Sequence, residues 1–149
     1  MENIKEEARK LIDRLPENST WDDLMYQIYV RQTVEAGLAD SKAGKVTSVQ
    51  EVRRKFGLPE WKFIGQKQNN ENLSAIYAYV AQTSTQYASR VIDRITKRSE
   101  QIANFPVSGR IVPEFETEQI REVLEGWYRI IYYIKSEQIY VLAVIHGSQ

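Results

Sequence analysis

The sequence contains no cysteine and a single histidine, His146, among its 149 residues. The lack of cysteine excludes disulfide bonds, thiolate chemistry and zinc sites built from thiolates, and it fits a reducing cytoplasm. The sequence also lacks metal-ligand spacing, a glycine-rich phosphate loop and a nucleophile elbow. We therefore expect no metal site and no cofactor.

The sequence has neither an excess of charge nor a long apolar run. Twenty basic and twenty acidic residues cancel, so no overall field directs the chain to nucleic acid or to an anionic membrane. The apolar runs fall short of the roughly 20 residues of a membrane span, and the charged start "MENIKEEARK" lacks the apolar core of a signal peptide. A cytoplasmic protein with no membrane partner is predicted, and its length suits one domain with an appendage.

The first half of the chain has the pattern of three helices. Apolar residues recur at three- and four-residue spacing over residues 4–15, and Pro16 ends this segment. Thr20 and Asp23 have capping-box spacing at the start of a second helix, predicted over residues 20–38. A third, shorter helix is predicted over residues 48–56. The predicted apolar stripe of the second helix contains Trp21, Leu24, Met25 and Ile28.

The second half of the chain has the pattern of both strands and helices. We predict a strand at residues 60–66, a helix at 73–82 and a helix at 83–105. Three strands joined by short turns are predicted at residues 119–125, 127–134 and 138–145. The predicted class is α+β, with the order β-α-α-β-β-β and an antiparallel sheet.

The last two predicted strands are apolar on both faces. A sheet with one wet face alternates apolar and polar residues, but "RIIYYI" and "IYVLAVI" do not. Both faces should therefore be covered, one by the helices of the second half and the other by the N-terminal helical segment. We expect Trp21, Leu24, Met25 and Ile28 to make the contacts of this cover.

Three residues on the predicted strands are candidates for chemistry. Neighbouring strands could bring Arg121, Arg129 and His146 together. Arginines bind phosphate through paired hydrogen bonds and histidine transfers protons near neutral pH, a combination that suits phosphodiester cleavage or docking onto an acidic surface. The alternative is structural, with Arg129 in a salt bridge at the edge of the core and His146 as a tail residue.

Other charged residues lie close by in the sequence. Arg110 follows a Pro and Gly turn in "FPVSGR", which either presents it to a target or leaves it as a surface arginine. The acidic residues nearby could include a general base, but we favour a solvated loop; they are Glu114, Glu116, Glu118 and Glu122. Residues 53–55 are all basic and could reach DNA phosphates from half of a helix-turn-helix, but no recognition helix follows. Binding of operator DNA stays open.

The second half resembles a known family. The segments "LSAIYAYVAQTSTQYASRVIDRI", "FPVSGR" and "IREVLEGWYRIIYYIKSEQIYVLAVIHG" resemble the ParE branch of the ParE/RelE toxin superfamily of bacterial type II toxin–antitoxin modules, over residues 61–149. The first half, "LPENSTWDDLMYQIYVRQTVEAGLADSKAGKVTSVQEVRRKFG", looks like the small helical antitoxins of such modules. The resemblance implies an antitoxin-like segment at 1–58 fused to a toxin domain at 59–149, of a kind linked to plasmid stabilization.

The resemblance implies two mechanisms. ParE-like toxins act on DNA gyrase and need no active site, whereas RelE-like toxins are endoribonucleases that cut messenger RNA on the ribosome. Arg129 stands where a RelE-like toxin has a catalytic arginine and His146 stands near its acid or base, but Glu122 replaces a lysine. This difference favours a gyrase-directed toxin neutralised in cis. An inactive, decayed fusion is a third interpretation, and homo-oligomer formation stays open.

Overall fold

The computed structural model describes residues 3–59, 75–78, 89–115, 117–135 and 138–147. The helices in these ranges are α1 (Ile4–Arg14), α2 (Trp21–Lys42), α3 (Val49–Lys55) and α4 (Ser89–Asn104). The strands are β1 (Thr47–Ser48), β2 (Ala75–Tyr77), β3 (Arg110–Ile111), β4 (Ile120–Glu125), β5 (Tyr128–Lys135) and β6 (Gln138–His146). The predicted α+β class is confirmed.

The strands form one sheet in the order β1-β2-β6-β5-β4-β3. β4, β5 and β6 are antiparallel neighbours, and two residues separate each of these strands from the next along the chain. Their bounds agree with the predicted strands to within one residue, so the predicted meander is confirmed. β2 runs parallel to β6, which makes the sheet mixed instead of wholly antiparallel.

The helix predicted at residues 73–82 is wrong at its start, where the chain forms β2. Ala75 and Tyr77 are each 1% exposed because they lie between β1 and β6 in the sheet. The apolar run here is short and its spacing fits a buried strand as well as a helix. Pairing with the neighbouring strands therefore decides its structure. The helix predicted at 83–105 is confirmed over Ser89–Asn104. The strand predicted at 60–66 lies outside the described residues.

The sheet is covered on both faces, as predicted. One face packs against α3 and α4, in a core that contains Val49, Val52, Ile92, Ile95, Ile130 and Tyr132. The other face packs against α2, in a core that contains Val30, Val34, Ile131, Leu142 and Ala143. The N-terminal half is thus divided, since α2 covers one face while α3 joins α4 on the opposite face.

The α2 residues that contact the sheet are not the predicted ones. Trp21, Met25 and Ile28 are 80%, 64% and 43% exposed, and Leu24 is only half-buried. That prediction is wrong because α2 carries apolar residues all around its circumference, so spacing alone does not select the buried side. The buried α2 residues are Val30, Thr33, Val34 and Gly37.

Gly37 permits the closest approach of α2 to the sheet. A Cβ atom at this position would overlap the carbonyl oxygen of Leu142 and lie 2.9 Å from its Cα atom. Leu142 belongs to β6, so glycine brings the helix backbone into direct contact with a central strand. Any larger residue must push α2 away from β6.

The helix α1 lies against the outer side of α2. Leu11 is its buried residue, and Ile4 and Leu11 line a cleft together with Ile28 of α2. The guanidinium of Arg31 pairs with Glu7 of α1 at 3.0 Å and lies 5.2 Å from the ring centre of Phe115. These contacts join α1, α2 and the loop before β4 into one layer.

The helix α3 is fixed to α4 through a buried arginine. Arg53 is 1% exposed, and its guanidinium contacts Asp93 at 2.7 Å and donates to the hydroxyl of Thr96 at 2.8 Å. Its Nε atom donates to the carbonyl oxygen of Pro59 at 2.9 Å. Arg53 therefore does not take part in the possible DNA contact of residues 53–55, because its charge faces the interior.

Candidate functional site

A buried cluster of charges surrounds Arg129 on the face of the sheet that α2 covers. Arg129 is 7% exposed, and its neighbours Glu114 and Glu122 are 5% and 1% exposed. Both Nη atoms of Arg129 donate to the carboxylate of Glu114, at 3.2 and 2.9 Å. The Nε atom donates to Glu122 Oε1 at 2.7 Å. Two carboxylates thus face one guanidinium in the interior.

The helix α2 contributes one residue to this cluster. Arg129 Nη1 donates to the Tyr26 hydroxyl at 3.1 Å, and that hydroxyl donates to the carbonyl oxygen of His146 at 3.4 Å. From α1, Arg14 donates to the carbonyl oxygen of Glu114 at 3.1 Å. Both helices of the N-terminal layer therefore contact the cluster directly.

The surroundings of Arg129 favour its charged form. Burial by itself lowers the pKa of Arg129, but hydrogen bonds to Glu114 and Tyr26 and the negative charges of Glu114 and Glu122 outweigh it and raise the pKa. A buried charge is costly unless it is paired and hydrogen-bonded. Arg129 meets that condition, so the structural alternative of a core salt bridge describes its geometry.

Arg110 lies at the outer edge of the same cluster. Its Nε atom pairs with Glu122 Oε2, and its side chain is 63% exposed. The turn before it is held by Tyr132, whose hydroxyl donates to the carbonyl oxygen of Pro106 at 2.5 Å and accepts from the Gly109 N–H at 3.2 Å. The "FPVSGR" turn therefore places the Arg110 side chain at the surface, which both interpretations of this residue require.

Arg121 and His146 lie on the opposite face of the sheet from Arg129. Arg121 is next to Glu122 in β4, and adjacent residues of a strand point to opposite faces. His146 is paired with Tyr128, whereas Arg129 is paired with Ile145. The prediction that neighbouring strands bring Arg121, Arg129 and His146 together is wrong, because alternation along β4 and β6 separates them.

The contacts of Arg121 and His146 agree with this separation. Arg121 Nη1 donates to the carbonyl oxygen of Gly109 at 2.9 Å. The ring of His146 packs edge-on against Tyr128 at 5.5 Å between ring centres. Arg121 thus supports the turn before β3, and the His146 imidazole is an exposed ring at the end of β6.

A cavity of about 450 Å³ opens beside the charged cluster. Tyr26 and Gln27 of α2 form part of its wall, and Arg110 and Arg129 lie on the sheet side. Its lining also includes Leu124 near the end of β4, 58% exposed, and Trp127 in the turn between β4 and β5, 71% exposed. The exposed part of this cavity therefore combines the Arg110 side chain with the indole of Trp127.

Three members of this site, Glu114, Glu122 and Tyr26, were not assigned to it from the sequence. Glu114 and Glu122 are buried, so interpreting them as solvated is wrong. Glu122 follows the apolar-in alternation of β4, which was a usable signal, but Glu114 lies in a loop without periodicity. Tyr26 lies on the side of α2 opposite the predicted apolar stripe, so it was expected to face away from the sheet. In the described ranges, no group of three or more histidine or acidic side chains could hold a metal ion.

The geometry defines a class of protein: an α+β domain with an antiparallel meander, covered by helices on both faces and carrying a buried arginine–carboxylate cluster. A family model described as "ParE toxin of type II toxin-antitoxin system, parDE" matches residues 66–149, more than half of the chain. The chain therefore belongs to the ParE toxin family. No curated protein sequence matches it. Within the parts of the chain that the structure describes, none of the helices has the length and apolar character of a membrane span.

Proposed function

We propose that this protein is a toxin–antitoxin fusion in the cytoplasm. Residues 59–149 form a toxin domain that inhibits growth by acting on DNA gyrase, and residues 1–58 form an antitoxin-like segment that neutralises it in cis. The observation that carries the proposal is the contact of α2 with the sheet and with Arg129. Neutralisation is assigned to α1 and α2 in particular, because α3 packs on the other face with α4.

The proposed cover is supported by the burial that α2 achieves. Val30 and Val34 are fully buried against Ile131 and Leu142. Burying an aliphatic side chain contributes about 1.5–3 kcal/mol, and the Tyr26 hydroxyl adds a hydrogen bond to the buried guanidinium. Covalent linkage gives the cover an effective concentration on the order of millimolar for a short flexible tether. Contacts of this size therefore keep α2 docked.

A binding mechanism is favoured over RNA cleavage by the charges around Arg129. Two carboxylates already neutralise its guanidinium, and a phosphate would have to displace them. His146 lies on the other face and supplies no acid or base beside it. The proposal therefore gives Arg110 and the exposed turn at Trp127 the role of target contacts, and gives Arg129 a structural role.

Displacing α2 in the full chain tests neutralisation. Gly37→Val puts a branched side chain against Leu142 and should move α2 off β6, whereas Ala39→Val alters an exposed position of the same helix. We expect growth arrest on induction of Gly37→Val, and normal growth with the wild type and Ala39→Val. Cleavage of α2 by a protease would show that the helix has left the sheet. Normal growth with a soluble, folded Gly37→Val chain that is cleaved in this way would contradict neutralisation in cis.

The target is tested with the purified Gly37→Val chain. It should inhibit supercoiling of plasmid DNA by gyrase, and Arg110→Ala should weaken this inhibition about tenfold by removing an exposed charged contact. Messenger RNA on translating ribosomes should stay intact. Cleavage of message that is lost in His146→Gln or Arg129→Ala would instead establish the endoribonuclease mechanism, and inhibition of neither system would favour an inactive fusion.

A further inference from the structure

The outer side of the α1–α2 hairpin carries a group of large apolar side chains that the fold leaves exposed. Trp21, Met25 and Tyr29 of α2 are 80%, 64% and 52% exposed, and Ile4 of α1 is 74% exposed. Ile28, 43% exposed, lies between them. Soluble monomers rarely expose contiguous apolar patches of several hundred Å² unless the patch binds something.

These residues form one surface, which we name the hairpin patch: Ile4, Trp21, Met25, Ile28 and Tyr29. The four α2 members follow one another at three- or four-residue steps, apart from the adjacent pair Ile28 and Tyr29, so they share one side of the helix. Ile28 and Ile4 line the same cleft between α1 and α2. The patch therefore continues from one helix to the other.

The hairpin patch has nearly the size of one side of a protein interface. Free aromatic side chains each present about 150–250 Å². With the exposed fractions above, the five side chains offer on the order of 600 Å². A standard interface buries about 800 Å² on each partner, of which the centre is apolar and the rim polar. The patch supplies that centre, and the charged residues of α1 supply a rim.

We propose that the hairpin patch binds the hairpin patch of a second copy of this chain and forms a two-fold symmetric dimer. A two-fold interface must complement itself, and Trp21 and Tyr29 lie four residues either side of Met25. Antiparallel α2 helices that cross at Met25 would place Trp21 of each copy beside Tyr29 of the other. The formal net charge of zero leaves no long-range repulsion between copies.

The proposed dimer uses the side of α2 that the sheet does not use. The sheet contacts Val30, Val34 and Gly37, which lie on the opposite side of the helix from Trp21 and Met25. Dimer formation therefore leaves the contact between α2 and β6 intact. Neither the dimer nor its test depends on whether residues 59–149 inhibit growth.

Molar mass measurements on the full chain test the proposal. Light scattering after size exclusion should give twice the 17.4 kDa chain mass at tens of micromolar protein. Trp21→Glu and Met25→Glu should each weaken the dimer by about 30-fold or more, since central apolar contacts dominate interface energies. Trp127→Glu is the matched control, because Trp127 is 71% exposed at the turn between β4 and β5 and lies outside the hairpin patch.

Circular dichroism should show the same helix content in all variants, since every substituted side chain is exposed. A monomeric wild type at 100 micromolar would overturn the proposal. So would a dimer that persists in Trp21→Glu and Met25→Glu, or one that Trp127→Glu disrupts to the same extent. A single Met25→Cys substitution gives a second measurement in a chain without native cysteine. A short bifunctional maleimide should link Met25→Cys chains into dimers, and Val107→Cys chains should not be linked.

Discussion

At the scale of single residues, the molecule depends on arginines whose charges are buried. Arg129 and Arg53 are each paired with carboxylates, and each joins elements that are distant in sequence. The sequence pattern singled out Arg129 but not its partners, because Glu114 reaches it from an irregular loop. Periodicity reports which face a residue occupies and carries no information about which loop folds back onto that face.

Removing the Arg129 charge should destabilise the fold strongly. Arg129→Met removes the buried cation that Glu114 and Glu122 share and leaves Glu122 with the exposed Arg110, so we expect a loss of about 3–5 kcal/mol in the free energy of unfolding. Arg94→Met is the control: it breaks the more exposed pair of Arg94 with Glu125 and should cost about 0–1 kcal/mol. Urea unfolding of both variants measures the difference. Equal unfolding midpoints would contradict a structural role for Arg129.

At the scale of elements, the long periodic segments and the short capped helix α3 were predictable from the sequence, and the strands of two or three residues were not. The strands β4, β5 and β6 and the helices α1 and α4 follow their sequence patterns, because one period dominates each segment. β2 has three residues and forms only through its neighbours β1 and β6. The sequence predicted the helix α2 but not which of its sides faces the sheet, since both sides are apolar.

The junction of α3 with α4 should depend on pH. Hydrogen bonds from Arg53 and Lys97 lower the pKa of Asp93 in the folded chain. A lowered pKa contributes stability above the unfolded pKa of about 3.9, and this contribution is lost as the pH falls through the folded pKa. Asp93→Asn should therefore lower the unfolding free energy at pH 7, and its difference from the wild type should shrink as the pH falls below about 3.9. Unfolding titrations across this range measure the effect, and a difference that does not change with pH would contradict it.

At the scale of the whole molecule, the sequence boundary near residue 58 does not separate two cores. Val49 and Val52 of α3 belong to the same apolar core as Ile92 and Ile95 of α4. β1 pairs with β2 at the edge of the sheet. The change in sequence pattern after Pro59 predicted two segments, but a pattern along the chain cannot reveal that one segment completes the core of the other.

Two truncations should separate the roles of the N-terminal elements. A chain that begins at residue 45 keeps β1 and α3 and loses α1 and α2, so it should stay folded and expose the face around Leu142. A chain that begins at residue 59 also loses Val49, Val52 and the buried Arg53, and we expect a loss of a further 3 kcal/mol or more, since large core deletions each cost about 2–5 kcal/mol. Thermal unfolding and binding of a hydrophobic dye measure the two effects. Equal melting temperatures would show that α3 is dispensable.

The strand that α2 contacts most closely, β6, follows every other described strand in the sequence. A ribosome adds about 5–20 residues per second, so α1 and α2 are synthesised seconds before β6. β6 lies between β2 and β5, so the sheet is complete only after β6 has left the ribosome. By then α2 has already been synthesised and can cover the sheet. Each new molecule thus acquires its finished sheet and its covering helix together, and translation itself leaves no interval in which a completed sheet is bare.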